Sequence, residues 1–182
     1  MGANSSRYTR CDWLAGKLVF ISGGSSGIGA ELVRAVAAQG SSLAFCGTRP
    51  DGGQVLIDEV VAAGHPAPWY AACDVRVIPA YQVLLARLIH EHGPVQVLVN
   101  NAGRDDRHRL EDVTLEFRDD RLALNLKRYF SAIQAVVSGM AAAGGGAVIN
   151  MGSVSWMRGR PHLVGYTTAK GRHPGAEAHA GT

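Results

Sequence analysis

The stretch SGGSSGIG, residues 22–29, puts four glycines into eight positions, directly behind the apolar run KLVFI and ahead of AELVRAVAAQG. A turn this bare between a buried strand and an apolar-periodic helix lets the backbone approach a ligand closely. It also aims the free N–H groups and positive dipole end of the helix at that ligand, and the usual guest is a phosphate. The spacing Gly23-x-x-x-Gly27-x-Gly29 departs from the commoner G-x-G-x-x-G, and ordinary tight-turn chemistry also produces glycine clusters. The strand–turn–helix setting is what gives the motif its weight.

The same alternation runs down the chain. KLVFIS (17–22) reads as a strand and 27–39 as a helix ending at Gly40. SLAFCG (42–47) is a second strand, followed by a helix over about 52–63. PWYAACD (68–74) is a third strand, and VIPAYQVLLARLIHEH a helix stopped by Gly93-Pro94. VQVLVN (95–100) is a fourth strand, a long helix covers about 114–142, and GGGAVINMGS carries a fifth strand. Strands that are apolar nearly throughout, alternating with helices, predict a parallel sheet covered on both faces. Right-handed crossovers then give an α/β doubly wound parallel sheet, the Rossmann fold, over residues 16–170. Residues 1–15 read as a disordered tail.

With 182 residues, 47% of them apolar, the chain can bury one core. Its net charge of +3 comes without a Lys/Arg run, which argues against a nucleic-acid partner. No apolar stretch reaches membrane length and no secretory h-region opens the chain, so no membrane partner and a cytoplasmic location are expected. The first six residues read as a polar tail, and their loose match to a myristoylation pattern is the kind that arises by chance. Three scattered cysteines without a CxxC pair fit reduced thiols. No His/Cys/acid cluster has metal-ligand spacing, so no metal is expected.

Further signals fall where a dinucleotide fold needs them. CDV (73–75) ends the third strand, where the Asp74 carboxylate can accept from an adenine amino group. NNAG (100–103) ends the fourth, with Gly103 permitting close approach. In YTTAK, Tyr166 and Lys170 share one helix face, Ser153 lies just after the fifth strand, and Asn125 lies inside the long helix. In this order and spacing the motifs resemble the short-chain dehydrogenase/reductase family across residues 17–170. NNAGRDDRHRLEDVT and GGGAVINMGSVSWMRG look like its sugar 1-dehydrogenases of the D-xylose and L-arabinose type, which oxidise an aldose C1 hydroxyl.

The resemblance implies a nicotinamide cofactor held by Gly23, Ser25, Ser26, Gly27, Ile28, Gly29, Thr48, Arg49, Asp74, Val75, Asn101, Ala102, Gly103, Tyr166 and Lys170. It implies Asn125, Ser153, Tyr166 and Lys170 as the catalytic set, with Ser153, Trp156 and Arg104 toward a sugar substrate. Tyr166 would take the hydroxyl proton with Lys170 as its cation, Ser153 would hold the reacting oxygen, and Asn125 would fix a relaying water. A free tyrosine titrates near 10, so this role needs a depression of roughly three pH units. The second strand ends in CGTRPDG, where an acidic residue usually marks NAD preference. Gly47, Thr48 and Arg49 therefore favour NADP over NAD through a 2′-phosphate, while Asp51 as a displaced acid keeps NAD open. Asp105, Asp106, Arg107 and His108 either approach a sugar or form a local ion-pair network. Trp156 either lines the pocket or packs, and His90 and His92 read as solvated helix caps. Met157 stands where the sugar enzymes tend to carry His. The full-length form is expected to be a homo-oligomer.

After Lys170 the resemblance stops, because GRHPGAEAHAGT (171–182) lacks the apolar continuation of the helix and the strands that follow it. Back-translated with GC-rich codons and read with one G removed, this tail becomes AAIPGLRRTLA, a family-like helix. The expectation is a single-base insertion, with truncation before a vector tail as the rival, and a chain that is poorly soluble and inactive. The competing readings are a sugar dehydrogenase cut short, a non-catalytic nucleotide-binding remnant, and a ketone or 3-oxoacyl reductase.

Overall fold

A computed structural model describes residues 8–171. The expectations for residues 1–7 and 172–182 concern parts of the chain outside that range. Five strands, β1 (Leu18–Ser22), β2 (Ser42–Gly47), β3 (Trp69–Ala72), β4 (Val97–Asn100) and β5 (Ala147–Asn150), form one parallel sheet in the order β3-β2-β1-β4-β5. The helices α1 (Gly27–Ala37), α2 (Gln54–Ala62), α3 (Ile78–His92), α4 (Leu115–Leu122), α5 (Arg128–Ala142) and α6 (Val164–Lys170) connect and cover it.

The apolar strands are explained by this layering. Val19 and Ile21 of β1 point to one face, against Val33 of α1 and Leu56 and Val60 of α2. Leu18 and Phe20 point to the other, against Leu85 and Leu88 of α3 and Ala132 and Val136 of α5. Both faces of the central strands β1 and β4 are dry, so no polar alternation survives there in the sequence. The outer strands are β3 and β5, and Ile149 of β5 is 47% exposed.

Two local features differ from the sequence expectation. The long helix over 114–142 exists, but five residues, Ala123–Lys127, form a π turn between α4 and α5. There Asn125 folds its side-chain amide back onto the Arg121 carbonyl at 3.1 Å. Residues 8–15 are not a loose tail. A short helical turn spans Asp12–Leu14, and Gln39 at the end of α1 ties it down. The Gln39 side chain accepts from Cys11 N–H at 2.7 Å and donates to the Thr9 carbonyl at 3.2 Å. One polar side chain thus satisfies backbone that would otherwise favour water.

Candidate active site

The strand order reverses between β1 and β4, and a groove of about 560 Å³ opens at the carboxyl ends of these strands. Its floor near β1 is built by the absence of side chains. Gly23 has φ of +68°, and a Cβ there would sit 2.7 Å from Ala102 Cα. A Cβ on Gly29 would lie 1.9 Å from the Gly23 carbonyl oxygen. The turn is braced from β4, where Asn101 Nδ2 donates to the carbonyls of Ser22 (3.1 Å) and Gly23 (3.0 Å). Buried Ser22 Oγ accepts from the N–H groups of Asn101 (3.1 Å) and Ala102 (3.3 Å). Such a cradle fits a dinucleotide, whose pyrophosphate needs bare backbone at the start of α1.

Tyr166 and Lys170 on α6 line the same groove. Lys170 is 3% exposed, and its Nζ lies 5.8 Å from the Tyr166 ring centroid. The amine donates to the Tyr129 hydroxyl at 2.5 Å and to the Met151 carbonyl. Burial, and then the positive charge of Arg128, push Lys170 down from 10.5 to about 7. Asn125 is fully buried beside it: its Oδ1 accepts from Arg104 N–H and its Nδ2 donates to the Arg104 carbonyl, both at 3.2 Å. A Cβ on Gly103 would stand 3.2 Å from Asn125 Oδ1 and 3.8 Å from Lys170 Nζ, so this glycine keeps the space between them open.

The groove brings together most of the residues singled out in the sequence: Gly23, Ser25, Ser26, Gly27, Ile28, Gly29, Thr48, Asp74, Val75, Asn101 to Gly103, Arg104, Tyr166 and Lys170. Arg49, Ser153, Trp156 and Asn125 are not among the residues that line it. Arg49 is exposed, and its carbonyl accepts from the Tyr70 hydroxyl. Ser153 Oγ is engaged with its neighbour, donating to Ser155 Oγ at 3.0 Å and accepting from Ser155 N–H at 3.1 Å. Trp156 is 41% exposed. The Asp74 carboxylate faces Arg76, whose guanidinium and backbone N–H both donate to it, and this pairing holds the acid below its usual range against the cost of burial.

In the segment after NNAG, Asp106 and His108 take up the local-network alternative, while Asp105 lines the groove. Asp106 pairs with Arg104 at 2.6 Å and with Arg121. His108 Nδ1 donates to the Asp106 carbonyl at 2.9 Å, which leaves Nε2 to accept from Gly165 N–H at 3.3 Å. That N–H belongs to the first turn of α6, so His108 caps the helix carrying Tyr166 and Lys170. This role, and those of Arg128 and Tyr129, escaped the sequence reading. Each depends on a partner from a distant element, and no spacing rule marks them. Among the described residues no group of three or more His, Cys, Asp or Glu side chains could hold a metal ion, and no helix is long and apolar enough to cross a membrane.

A switch-point groove with a glycine cradle and a Tyr–Lys helix defines the class of nicotinamide-dinucleotide folds. Residues 17–174 match the family model described as short chain dehydrogenase. The chain belongs to this short-chain dehydrogenase family. It is 46% identical over 158 residues to a D-xylose 1-dehydrogenase of Caulobacter vibrioides, covering 86% of this chain and 61% of that protein. It is 40% identical over 152 residues to a protein of Rhizobium meliloti named "Probable galactose dehydrogenase", covering 84% of this chain and 59% of that one. The chain therefore spans about three fifths of the length of these relatives. Among solved structures, a metagenomic short-chain oxidoreductase in complex with NADP superposes with a TM-score of 0.84 at 28% identity, over 90% of this chain and 74% of that one. A 3-oxoacyl (acyl-carrier-protein) reductase of Agrobacterium tumefaciens with NADP bound gives 0.83 at 25% identity, over 90% and 62%.

Proposed function

We propose that the groove binds NADP(H) in preference to NAD(H), and that Tyr166, Lys170, Ser153 and Asn125 serve hydride transfer at the C1 hydroxyl of an aldose. The observation that carries this reading is the buried amine of Lys170 beside Tyr166, both lining the groove whose floor is the glycine cradle. A bound oxidised nicotinamide would supply the hydride acceptor.

The residues of the chain do the rest. Gly23 to Gly29 and Asn101 to Gly103 hold the dinucleotide against backbone. Tyr166 takes the proton from the substrate hydroxyl, and Lys170 stabilises the phenolate as it forms. Asn125 fixes the neighbouring Arg104 backbone in place through two bonds of 3.2 Å. Ser153 turns its hydroxyl from Ser155 to the reacting oxygen when substrate arrives. Trp156 and Arg104 lie toward the sugar. The aldose is favoured over a ketone or 3-oxoacyl substrate by the 46% identity to a D-xylose 1-dehydrogenase.

NADP is favoured because the end of β2 carries no carboxylate. A side chain at Gly47 would begin 2.3 Å from Ser25 Oγ, so an acidic residue could not be added there without moving Ser25. Arg49 follows two positions on and, being exposed, is free to turn toward a 2′-phosphate. Arg49→Ala should weaken NADPH binding by about 1.5–3 kcal/mol and leave NADH binding nearly unchanged, as measured by fluorescence titration. Equal losses for both would remove Arg49 from this role.

A further inference from the structure

Behind Lys170 lies a second buried cation that the proton chemistry of Tyr166 does not by itself require. Arg128 is fully buried at the start of α5. Its guanidinium donates to the Leu124 carbonyl (2.6 Å), Ser22 Oγ (3.0 Å), Asn100 Oδ1 (3.5 Å) and the Ala102 carbonyl. All four acceptors are neutral. Among the described residues no carboxylate pairs with Arg128 or with Lys170. A guanidinium stays charged at any working pH, so its positive charge persists next to the amine.

Tyr129 stands between these two cations. The Arg128 guanidinium carbon lies 4.1 Å from the Tyr129 ring centroid, and Lys170 Nζ lies 5.1 Å from the same centroid. The Tyr129 hydroxyl accepts from Nζ and donates to the Met151 carbonyl at 3.3 Å. Burial keeps this phenol in its protonated form. Among the described residues, the titratable groups that face the amine are Arg128 and Tyr129 from α5 and Tyr166 from its own helix. Met151 at the end of β5 presents only its carbonyl.

We propose that Arg128 and Tyr129 are positioning residues that set the proton affinity of Lys170 in opposite senses. The fixed charge of Arg128 drives the proton off the amine, and the Tyr129 hydroxyl holds it on while fixing the amine below the groove. The inference rests on the reading of Lys170 as the partner of Tyr166. It adds that two opposed neighbours on α5 set how firmly Lys170 keeps its proton. The lowered titration of Lys170 agrees with this.

The chain has only three lysines, Lys17, Lys127 and Lys170, which makes the amine directly readable. Trace labelling with acetic anhydride across pH 5 to 11, followed by peptide mass spectrometry, gives the titration midpoint of Lys170, with exposed Lys127 as reference. Arg128→Gln should move that midpoint alkaline by about one pH unit, because a like charge at close range is gone. Arg128→Lys keeps the charge and should leave the midpoint where it is. Tyr129→Phe loses only the hydroxyl and should move the midpoint in the acid direction. If Arg128→Gln does not fold, the direction of the Tyr129→Phe shift decides alone.

Unmoved midpoints in Arg128→Gln and Tyr129→Phe, or shifts of the same sign in both, would overturn the proposal. The labelling uses no substrate and no turnover, so its failure is distinct from failure of the hydride-transfer reading. In the active protein, the pH profile of kcat should follow the same opposed shifts.

Discussion

The glycine cradle and the lysine cluster line one groove but are held by opposite means. At the cradle, ligand space exists because side chains are missing: Gly23 and Gly29 pack their own backbone against Ala102 and against each other. At the cluster, space is set by side chains from remote elements: Tyr129 accepts from Lys170, Arg128 lies over the Tyr129 ring, and Asn125 borders Gly103 as Lys170 does. The cradle is backbone packed on backbone, and Gly23 and Gly29 leave no room for an added atom. The cluster is built from buried polar side chains, so a change there acts first through charge and hydrogen bonding.

The comparison is sharpest where one methyl group is added to the cradle. Gly29→Ala would place a Cβ 1.9 Å from the Gly23 carbonyl oxygen, and backbone cannot give way as a flexible side chain would. It should cost about 3 kcal/mol of stability and at least tenfold in NADPH affinity, read by thermal melts and by titration. A variant that melts and binds like the parent would show that the cradle is not close-packed.

At the cluster the expected effect is electrostatic and depends on pH. Lys170 titrates near 7 in the folded chain against 10.5 when unfolded, so the unfolded chain binds more protons between those values. Stability contributed by this residue is therefore lowest below pH 7 and rises as pH climbs toward 10.5. Lys170→Met should flatten that rise, so that variant and parent differ by about 3 kcal/mol more at pH 6 than at pH 10 in denaturant unfolding. A difference independent of pH would mean that the amine is not desolvated.

The smallest change tests how the cluster is anchored. His108→Ala removes the acceptor of Gly165 N–H in the first turn of α6 and should cost about 1 kcal/mol, the ordinary worth of a helix cap. Amide exchange confined to the start of α6 is the expected signature. An unchanged exchange rate at Gly165 would show that the cap is immaterial.

The same contrast explains what could be read in the sequence. SGGSSGIG, NNAG and YTTAK are legible because their residue types are distinctive in themselves: clustered bare glycines, or two side chains one helical turn apart. The parallel sheet was legible because both faces of its central strands are buried. Arg128 and Tyr129 look like ordinary helix residues, since Ser22, Asn100 and Met151 reach them only after β1, β4 and β5 assemble. The π turn at Ala123–Lys127 is held partly by Asn125 bonding the Arg121 carbonyl and partly by its bond to Arg104, 21 residues away, which no spacing in the sequence marks. His108 stood out as part of an ambiguous charged run, and only its contact with Gly165 decides its role.

The central claim is that the cradle binds the dinucleotide and the Tyr–Lys helix supplies the proton chemistry. Titrating the chain and its Tyr166→Phe variant with NADPH, and assaying aldose-dependent reduction of NADP in the protein read with one G removed after the Lys170 codon, with and without the same substitution, tests it most directly. The account predicts equal NADPH affinities within about twofold, with turnover falling by roughly 10²–10⁴-fold when the phenol oxygen is lost. A Tyr166→Phe variant that keeps more than about a tenth of the parent's turnover, or a parent chain that binds no NADPH, would contradict it.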